Sequence, residues 1–315
     1  MGANLERNSA TRFPENKHFA FTIMDDTDDS TVQNTRPIYD LLSDLNFRTT
    51  KTVWPLDCPE GSGIFFAGQT LANSDYLAYC HELQSRGFEL TWHGATMESS
   101  DRARTIKGLR TFNELLGHYP QVHANHGQNR ENIYWGHKRY RTPGLRLLAR
   151  FLIPNARYSG EIIGSRYFWG DLCSGYFRFV RNFTFYEINT FRNDPFMPYR
   201  LKGTPFVNYW FSGSDAPDVH HFIRLVTRAS VDRLCEEGGV CILCTHLGKG
   251  FVRDGKVDAH VADTLRYLAS LPGWFVPVSD LLEHLLAGTP DRDLSPTALG
   301  RLEFAHALDR LRGHR

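Results

Sequence analysis

The sequence predicts a single (β/α) barrel of seven or eight strand–helix units, and three observations favour this fold class. The chain has 315 residues, which suits a barrel of about 250 residues with insertions. Short apolar runs alternate with segments whose apolar residues recur at helical spacing, which is typical of a parallel sheet. Acidic or histidine side chains follow several of these runs, where parallel barrels carry their functional groups.

Composition and charge limit the function classes. Hydrophobic residues make up 41% and charged residues 23% of the chain, as in a globular protein with a full core. The net charge of +1 argues against nucleic-acid binding, because such domains carry an excess of Lys and Arg. The first 18 residues lack the apolar segment of a secretory signal, and no run approaches the roughly 18–20 apolar residues of a membrane span. We therefore expect a cytoplasmic protein with reduced cysteines and no membrane span.

The pattern divides the chain into three parts. Residues 1–18 are polar and are expected to form an N-terminal arm. Residues 19–288 contain all the alternating elements and are expected to form the barrel. Residues 289–315 are expected to be a linker followed by a charged helix, and no internal repeat is found.

The first half of the chain alternates clearly. An apolar run that begins at Phe19 ends in four acidic residues, Asp25, Asp26, Asp28 and Asp29, and it is predicted to be a buried strand. Further strands are predicted at 49–54, 87–94 and 121–127, and helices at 38–45, 76–83 and 99–116.

The second half is clear only from residue 220 onward. Between 129 and 210 the sequence is rich in aromatic residues, Arg and Asn, and supports only a helix at 145–152 and weak strands at 156–159, 184–188 and 205–211. After it, helices are predicted at 220–237, 259–270, 278–287 and 298–311, and strands at 238–247 and 274–276.

Four predicted strands end in groups that can bind a metal or transfer a proton. The strand that begins at Phe19 ends in Asp25 and Asp26, and the strand at 87–94 ends in His93. The strand at 121–127 ends in His123 and His126, and the strand at 238–247 in His246. An acidic helix cap would explain the aspartates alone, and a single histidine at a strand end is more often structural. Because parallel strand ends meet on one face of a barrel, the four together indicate a site. Carboxylate and imidazole are ligands that Zn²⁺ accepts.

These residues resemble motifs of the polysaccharide deacetylases, the family-four carbohydrate esterases. Residues 22–26, Thr-Ile-Met-Asp-Asp, are similar to the family's first motif, which implies Asp25 as general base and Asp26 as metal ligand. His93 matches the first metal-binding histidine of the second motif, but Met97 occupies the place of the second histidine. Residues 242–246 resemble the last motif, which implies His246 as general acid.

The third motif is the least similar. It is Arg-Pro-Pro-Tyr-Gly in many family members and falls on residues 123–127 here, so that His123 occupies the arginine position among the catalytic residues and only Gly127 is retained. A thioether is a poor Zn²⁺ ligand beside Asp and His. We therefore expect His126, or less favourably His123, to supply the third ligand from the neighbouring strand. The resemblance spans 19–287 but leaves 129–210 unmatched.

The resemblance implies a metal-dependent hydrolase that uses a divalent metal, expected to be Zn²⁺, to remove an acyl group, N-acetyl above all, from a carbohydrate or related amide. Two alternatives remain open: a non-catalytic carbohydrate-binding protein, which Met97 favours, and a hydrolase of another carbon–nitrogen bond in a small amide. Six aromatic residues of the middle segment could offer faces to sugar rings: Tyr134, Trp135, Tyr140, Tyr167, Phe168 and Trp169. Asp171 and Asp194 could orient a histidine.

Overall fold

The computed structural model describes residues 13–60, 62, 68–152, 157–288 and 293–312. Seven parallel strands close into a barrel, because the seventh pairs with the first along its whole length. The predicted (β/α) barrel is therefore confirmed. The strands are β1 (Phe19–Asp25), β2 (Thr50–Val53), β3 (Glu89–Trp92), β4 (Val122–His123), β5 (Phe179–Phe185), β6 (Tyr209–Asp215) and β7 (Val240–Thr245).

Three short strands lie outside the closed barrel. β8 (Val252–Arg253) and β9 (Lys256–Val257) form a small antiparallel hairpin after β7. β10 (Gly273–Trp274) pairs with Phe19 and Ala20 at the beginning of β1. β1 pairs with β2 only at Met24 and Asp25, so β10 contacts the part of β1 that β2 does not reach.

Helices separate the strands and cover the outside of the barrel. They are α1 (Val32–Asp44), α2 (Ser74–Ser85), α3 (Arg102–Leu116), α4 (Pro143–Leu152), α5 (Gly170–Tyr176), α6 (Thr190–Asn193), α7 (Val219–Leu225), α8 (Arg228–Glu236), α9 (Ala259–Ala269), α10 (Val278–Ala287) and α11 (Pro296–Arg312). Among the described residues, none of these helices combines the length and apolar character needed to cross a membrane.

The pairing of β1 with β7 brings two strand ends together. All residues of β1 and β7 are buried, which explains why both are nearly continuous apolar runs. Asp25 pairs with Thr245, and the Asp26 N–H donates to the Thr245 carbonyl at 2.8 Å. The residues that follow β1 and β7 therefore begin at the same height on the barrel.

Several boundaries differ from the prediction. The helix predicted at 220–237 is two helices, because Thr227 caps α8 through a reciprocal pair of hydrogen bonds with Ser230 and so starts a new helix. β5 begins five residues before the strand predicted at 184–188, and β6 begins four residues after the start predicted at 205. Residues 157–159 are not in a strand, and residue 156 lies outside the described residues.

The two predicted terminal parts are described only in part. Residues 1–12 of the predicted arm and 289–292 of the predicted linker lie outside the described residues. Phe13 is buried and its ring lies 6.0 Å from the ring of Trp274. α11 packs beside α4 and β5, where Glu303 accepts hydrogen bonds from the backbone N–H groups of Arg141 and Thr142. Phe13 and α11 thus contact the barrel.

Candidate metal centre and active site

The C-terminal ends of β1, β3, β4 and β7 bring one carboxylate and three imidazoles together. Asp28 Oδ1 lies 3.5 Å from His93 Nε2 and 3.4 Å from His126 Nε2. Asp28 Oδ2 lies 3.4 Å from His246 Nε2 and 3.5 Å from Lys249 Nζ. The convergence of His93, His126 and His246 predicted from the strand ends is therefore present, and its centre is Asp28.

The donor atoms of Asp28, His93 and His126 could hold one metal ion, since they all lie within 4.8 Å of one another. Two ligand atoms at 2.0–2.1 Å from a tetrahedral Zn²⁺ ion are about 3.4 Å apart, close to the two distances from Asp28 Oδ1. That oxygen is buried and has no hydrogen-bond partner among the described residues. A buried carboxylate oxygen that lies between two imidazole nitrogens fits a divalent cation.

The charge states of these groups also suit a metal. Burial alone would raise the pKa of Asp28, but contact with the imidazoles of His126, His246 and His93 lowers it, so the carboxylate is ionised. Burial lowers the pKa of His93 despite the nearby carboxylates of Asp26 and Asp28, which favours the neutral ring. Metal ligands must be deprotonated carboxylates and neutral imidazoles.

Asp26 lies beside this group and is held by an arginine. The Arg181 guanidinium donates to both carboxylate oxygens, at 3.0 and 2.6 Å. Burial would raise the pKa of Asp26, but Arg181 and the neighbouring His93 and His246 lower it overall. Asp26 Oδ1 is 3.9 Å from His93 Nδ1. The carboxylate is thus a charged group positioned next to the candidate metal site.

Asp25 is the most completely hydrogen-bonded of the predicted site residues. It accepts from the Lys51 ammonium at 2.8 Å, the Tyr39 hydroxyl at 2.9 Å and the Leu247 backbone N–H at 2.8 Å. Both members of the ion pair with Lys51 have fully buried side chains. The geometry favours a structural role, because Asp25 is fully buried and its charge is balanced within the interior by Lys51.

His246 faces a cleft beside Asp26. Its Nδ1–H donates to the Pro217 carbonyl at 2.6 Å, which turns Nε2 toward the site. Burial would lower its pKa, but Asp28 and Asp26 raise it overall. The cleft has a volume of about 80 Å³ and is bounded by Asp26, Arg181, His246 and, among the six aromatic residues predicted to meet sugar rings, by Trp135 alone. His246 is therefore placed to donate a proton into this cleft.

His123 and Met97 do not join the candidate metal group. The His123 Nε2 lies 3.1 Å from Asn125 Oδ1, and its ring packs edge-on against Trp169 at 5.1 Å. Burial lowers the pKa of His123 to about 3, so the ring is neutral. Met97 is buried. His126, and not His123, is the histidine that lies beside His93, with ring centroids 5.0 Å apart.

Asp171 and Asp194, predicted as possible partners of a histidine, have other contacts. Asp171 pairs with Arg102 through two hydrogen bonds of 2.6 and 2.7 Å. Asp194 accepts from the Ser212 hydroxyl at 2.7 Å. Trp169, one of the six aromatic residues predicted to meet sugar rings, is buried and its indole N–H donates to the Glu131 carbonyl.

Sequence reasoning missed Arg181 and the central position of Asp28. Asp28 stands in the acidic cluster, but no spacing distinguishes it from its neighbours. Arg181 lies on β5, in the segment where no motif was found. A buried strand with an arginine in its centre, Phe-Val-Arg-Asn-Phe at 179–183, is the one signal that could have indicated it, because a buried arginine needs an acidic partner.

Solved structures with the same fold are found, although sequence comparisons find no relative. No protein-family model matches the sequence, and no curated protein does. A protein described as a polysaccharide deacetylase from Pseudomonas aeruginosa PAO1 has a TM-score of 0.55 at 13% identity, covering 90% of this chain and 95% of that one. A second so described, from Mycobacterium smegmatis, has a TM-score of 0.52 at 13% identity, with 90% and 96% covered. Puue allantoinase has a TM-score of 0.54 at 14% identity, with 89% and 94% covered. The chain therefore has the (β/α) barrel fold of the polysaccharide deacetylases.

Proposed function

We propose that the protein is a metal-dependent hydrolase that removes an acyl group from an amide or ester. The observation that carries the proposal is the grouping of Asp28, His93 and His126 around one point, beside a carboxylate paired with Arg181 and a histidine that faces the same cleft. A protein that only binds its ligand does not need a proton acceptor such as Asp26 and a proton donor such as His246 beside a metal site. The shared fold supports the same class of chemistry.

The proposed roles differ from those that the motif resemblance implies. We assign the metal ligands as Asp28, His93 and His126, in place of Asp26, His93 and His126. We assign the general base as Asp26 in place of Asp25, because Asp26 borders the cleft that His246 faces, whereas Asp25 is fully buried in its ion pair with Lys51. His123 receives no catalytic role, whereas His246 remains the general acid.

Each group has a task that follows from its surroundings. A bound divalent ion would supply Lewis-acid polarisation of the substrate carbonyl and a lower pKa for water. Asp26 takes a proton from the attacking water, and Arg181 keeps this carboxylate ionised. His246 gives a proton from Nε2 to the leaving amine or alkoxide, and the bond from Nδ1 to Pro217 holds the ring in the required orientation.

Two substrate classes remain for this chemistry. Neighbours described as polysaccharide deacetylases support an acetylated carbohydrate, and the Asp and His donors of the candidate site are ligands that Zn²⁺ accepts. The equally similar allantoinase supports a small non-sugar amide. The small cleft, in which Trp135 is the one Phe, Tyr or Trp side chain among the described residues, also favours this second candidate. Both require the same acid and base.

The test is metal content measured by elemental mass spectrometry on untagged protein, together with hydrolysis of N-acetylglucosamine oligomers and N-acetyl amides. We expect near-stoichiometric metal in the wild type and in Asp26→Asn, and loss of metal in Asp28→Asn and His126→Gln. Asp26→Asn should lower kcat by about 10²–10⁴-fold. Metal that is lost in Asp26→Asn but kept in Asp28→Asn would return the ligand role to Asp26. A wild type without metal after reconstitution would instead favour the non-catalytic carbohydrate-binding protein.

A further inference from the structure

A large apolar cavity of about 580 Å³ lies between α4 and α11. Its apolar wall is formed by side chains of these helices: Leu145, Leu148, Ala149 and Leu152 from α4, and Ala307 and Leu311 from α11. Three of them remain largely exposed, with Leu148 at 49%, Leu152 at 63% and Leu311 at 72%. Apolar surface that is left open in a concave site is typical of a ligand pocket.

This cavity adjoins the catalytic cleft. Trp135, Arg139, Thr184 and Asp215 border both the apolar cavity and the cleft that contains Asp26 and His246. A molecule whose reactive bond lies in the cleft therefore has the apolar cavity next to it. The wall shared by the two spaces is polar, although the cavity beyond it is apolar.

Arg139, in this shared wall, donates to the backbone carbonyl of Asn182 but forms no ion pair with an acidic side chain among the described residues. Its guanidinium lies 4.1 Å from the ring of Trp135 and 5.0 Å from that of Phe183, which holds it in place. Its Nε is buried and has no hydrogen-bond partner among the described residues. The two neighbouring arginines are both paired, Arg181 with Asp26 and Arg310 with Asp215.

The guanidinium of Arg139 nevertheless keeps its charge at neutral pH. Burial and the nearby Arg310 lower its pKa to about 9, which is still above 7. A buried cation without an acidic partner is costly in a folded protein. An anionic group of a ligand, such as a carboxylate or a phosphate, would supply the missing partner.

We propose that the substrate is an anionic amphiphile, whose alkyl or aryl part lies between α4 and α11 and whose carboxylate or phosphate contacts Arg139. The proposal rests on the proposed function for the position of the scissile bond, and it narrows the substrate class to acylated molecules with an apolar chain. The anionic group lies between the chain and the bond that is cleaved.

Binding of simple probes tests this directly, without turnover. Isothermal titration calorimetry would compare octanoate, octyl phosphate, 1-octanol and acetate on the wild-type protein. We expect octanoate or octyl phosphate to bind at least about tenfold more tightly than acetate, because several methylene groups become buried. Both should also bind more tightly than 1-octanol, and the tighter of the two identifies the anion. Equal binding of octanoate and acetate would overturn the proposal.

Two neighbouring residues of α4 give a matched pair of variants. Leu148 borders the cavity, whereas Leu147 is 57% exposed and is not part of its wall. Leu148→Glu should weaken octanoate binding at least about tenfold through an added charge in the pocket, and Leu147→Glu should leave it unchanged. Arg139→Met should remove the preference for octanoate over 1-octanol. Equal effects of the two glutamates would contradict the proposal.

Sedimentation velocity tests whether a second copy of the chain, instead of a ligand, occupies this surface. A wild-type dimer that Leu148→Glu dissociates, with no binding of octanoate, would overturn the proposal. Loss of probe binding with intact hydrolysis of short acyl substrates would refute only the amphiphile. Tight probe binding without hydrolysis of any acyl substrate would refute only the proposed hydrolase.

Discussion

Arg181 contacts both carboxylate oxygens of Asp26, at 3.0 and 2.6 Å. The two side chains are only 9% and 8% exposed, so water screens this pair weakly. Asp26 follows β1, and Arg181 lies on β5 on the other side of the barrel. The pair therefore spans the barrel mouth and fixes the carboxylate that we assign as general base.

Replacing Arg181 should shift the pH dependence of activity. Arg181 lowers the pKa of Asp26, and a base works only when deprotonated. In Arg181→Met the pKa should rise, so that activity on the acid side is lost at a higher pH than in the wild type. We expect the acid limb of kcat/KM to move upward by about 1–3 pH units.

Arg178→Met is the control for this shift, since Arg178 pairs with Glu283 at the surface. The acid limb of kcat/KM in Arg178→Met should lie at the same pH as in the wild type. An unchanged acid limb in Arg181→Met would contradict the role of Asp26 as base.

His246→Gln should slow turnover while the metal remains bound. We expect kcat to fall by about 10²–10⁴-fold for an alkyl amide, and much less for a 4-nitrophenyl ester, whose leaving group needs no proton. In the wild type, Asp28 and Asp26 raise the pKa of His246 against the opposing effect of burial, so activity should fall as pH rises through a value above 6.5. If metal and activity were lost together, His246 would be a ligand instead.

Much of the site follows from simple local patterns. His93, His126 and His246 each lie within three residues of the end of a strand, and parallel strands deliver such residues to one face. The sequence predicts His126 as a ligand in place of Met97, because a thioether suits Zn²⁺ poorly; His126 does lie beside His93, and its role as a ligand stays a prediction. The different partners of the three aspartates could not be predicted, because Lys51, Arg181 and the imidazoles come from distant parts of the chain.

The fold was predictable where the strands are continuous apolar runs. β1 and β7 are buried apolar runs, and both were found. β5 carries Arg181 and Asn182 in a buried strand, and β6 carries Ser212 and Ser214. Buried polar residues break the apolar pattern by which strands are recognised, so the two predicted strands were displaced.

Lys51→Met should destabilise the protein strongly. It leaves Asp25 as a fully buried carboxylate without its cation, which typically costs about 3–5 kcal/mol. The matched control is Arg36→Met, which breaks a pair with Glu82 whose side chains are both 39% exposed. Such surface pairs contribute below about 1 kcal/mol. Urea-induced unfolding measures both losses, and similar values for the two variants would refute the structural role of the Lys51 pair.

Glu131 should make stability depend on pH. Burial raises its pKa to about 8, although Asn129 donates to the carboxylate and opposes the shift. One of its oxygens is buried and has no hydrogen-bond partner among the described residues. Below about pH 4.5 the group is protonated in both states. Above it the unfolded chain loses the proton while the folded protein keeps it, so the free energy of unfolding declines until about pH 8.

Glu131→Gln should therefore flatten this decline, because glutamine stays neutral at every pH and occupies nearly the same volume. The difference between wild type and variant should change by several kcal/mol between pH 5 and pH 8, at about 1.4 kcal/mol for each unit of pKa shift. Urea unfolding at four pH values measures it, with Glu114→Gln on the exposed side of α3 as control. Parallel curves for wild type and Glu131→Gln would mean that the buried carboxyl group is ionised in the folded protein and has a partner that replaces the proton.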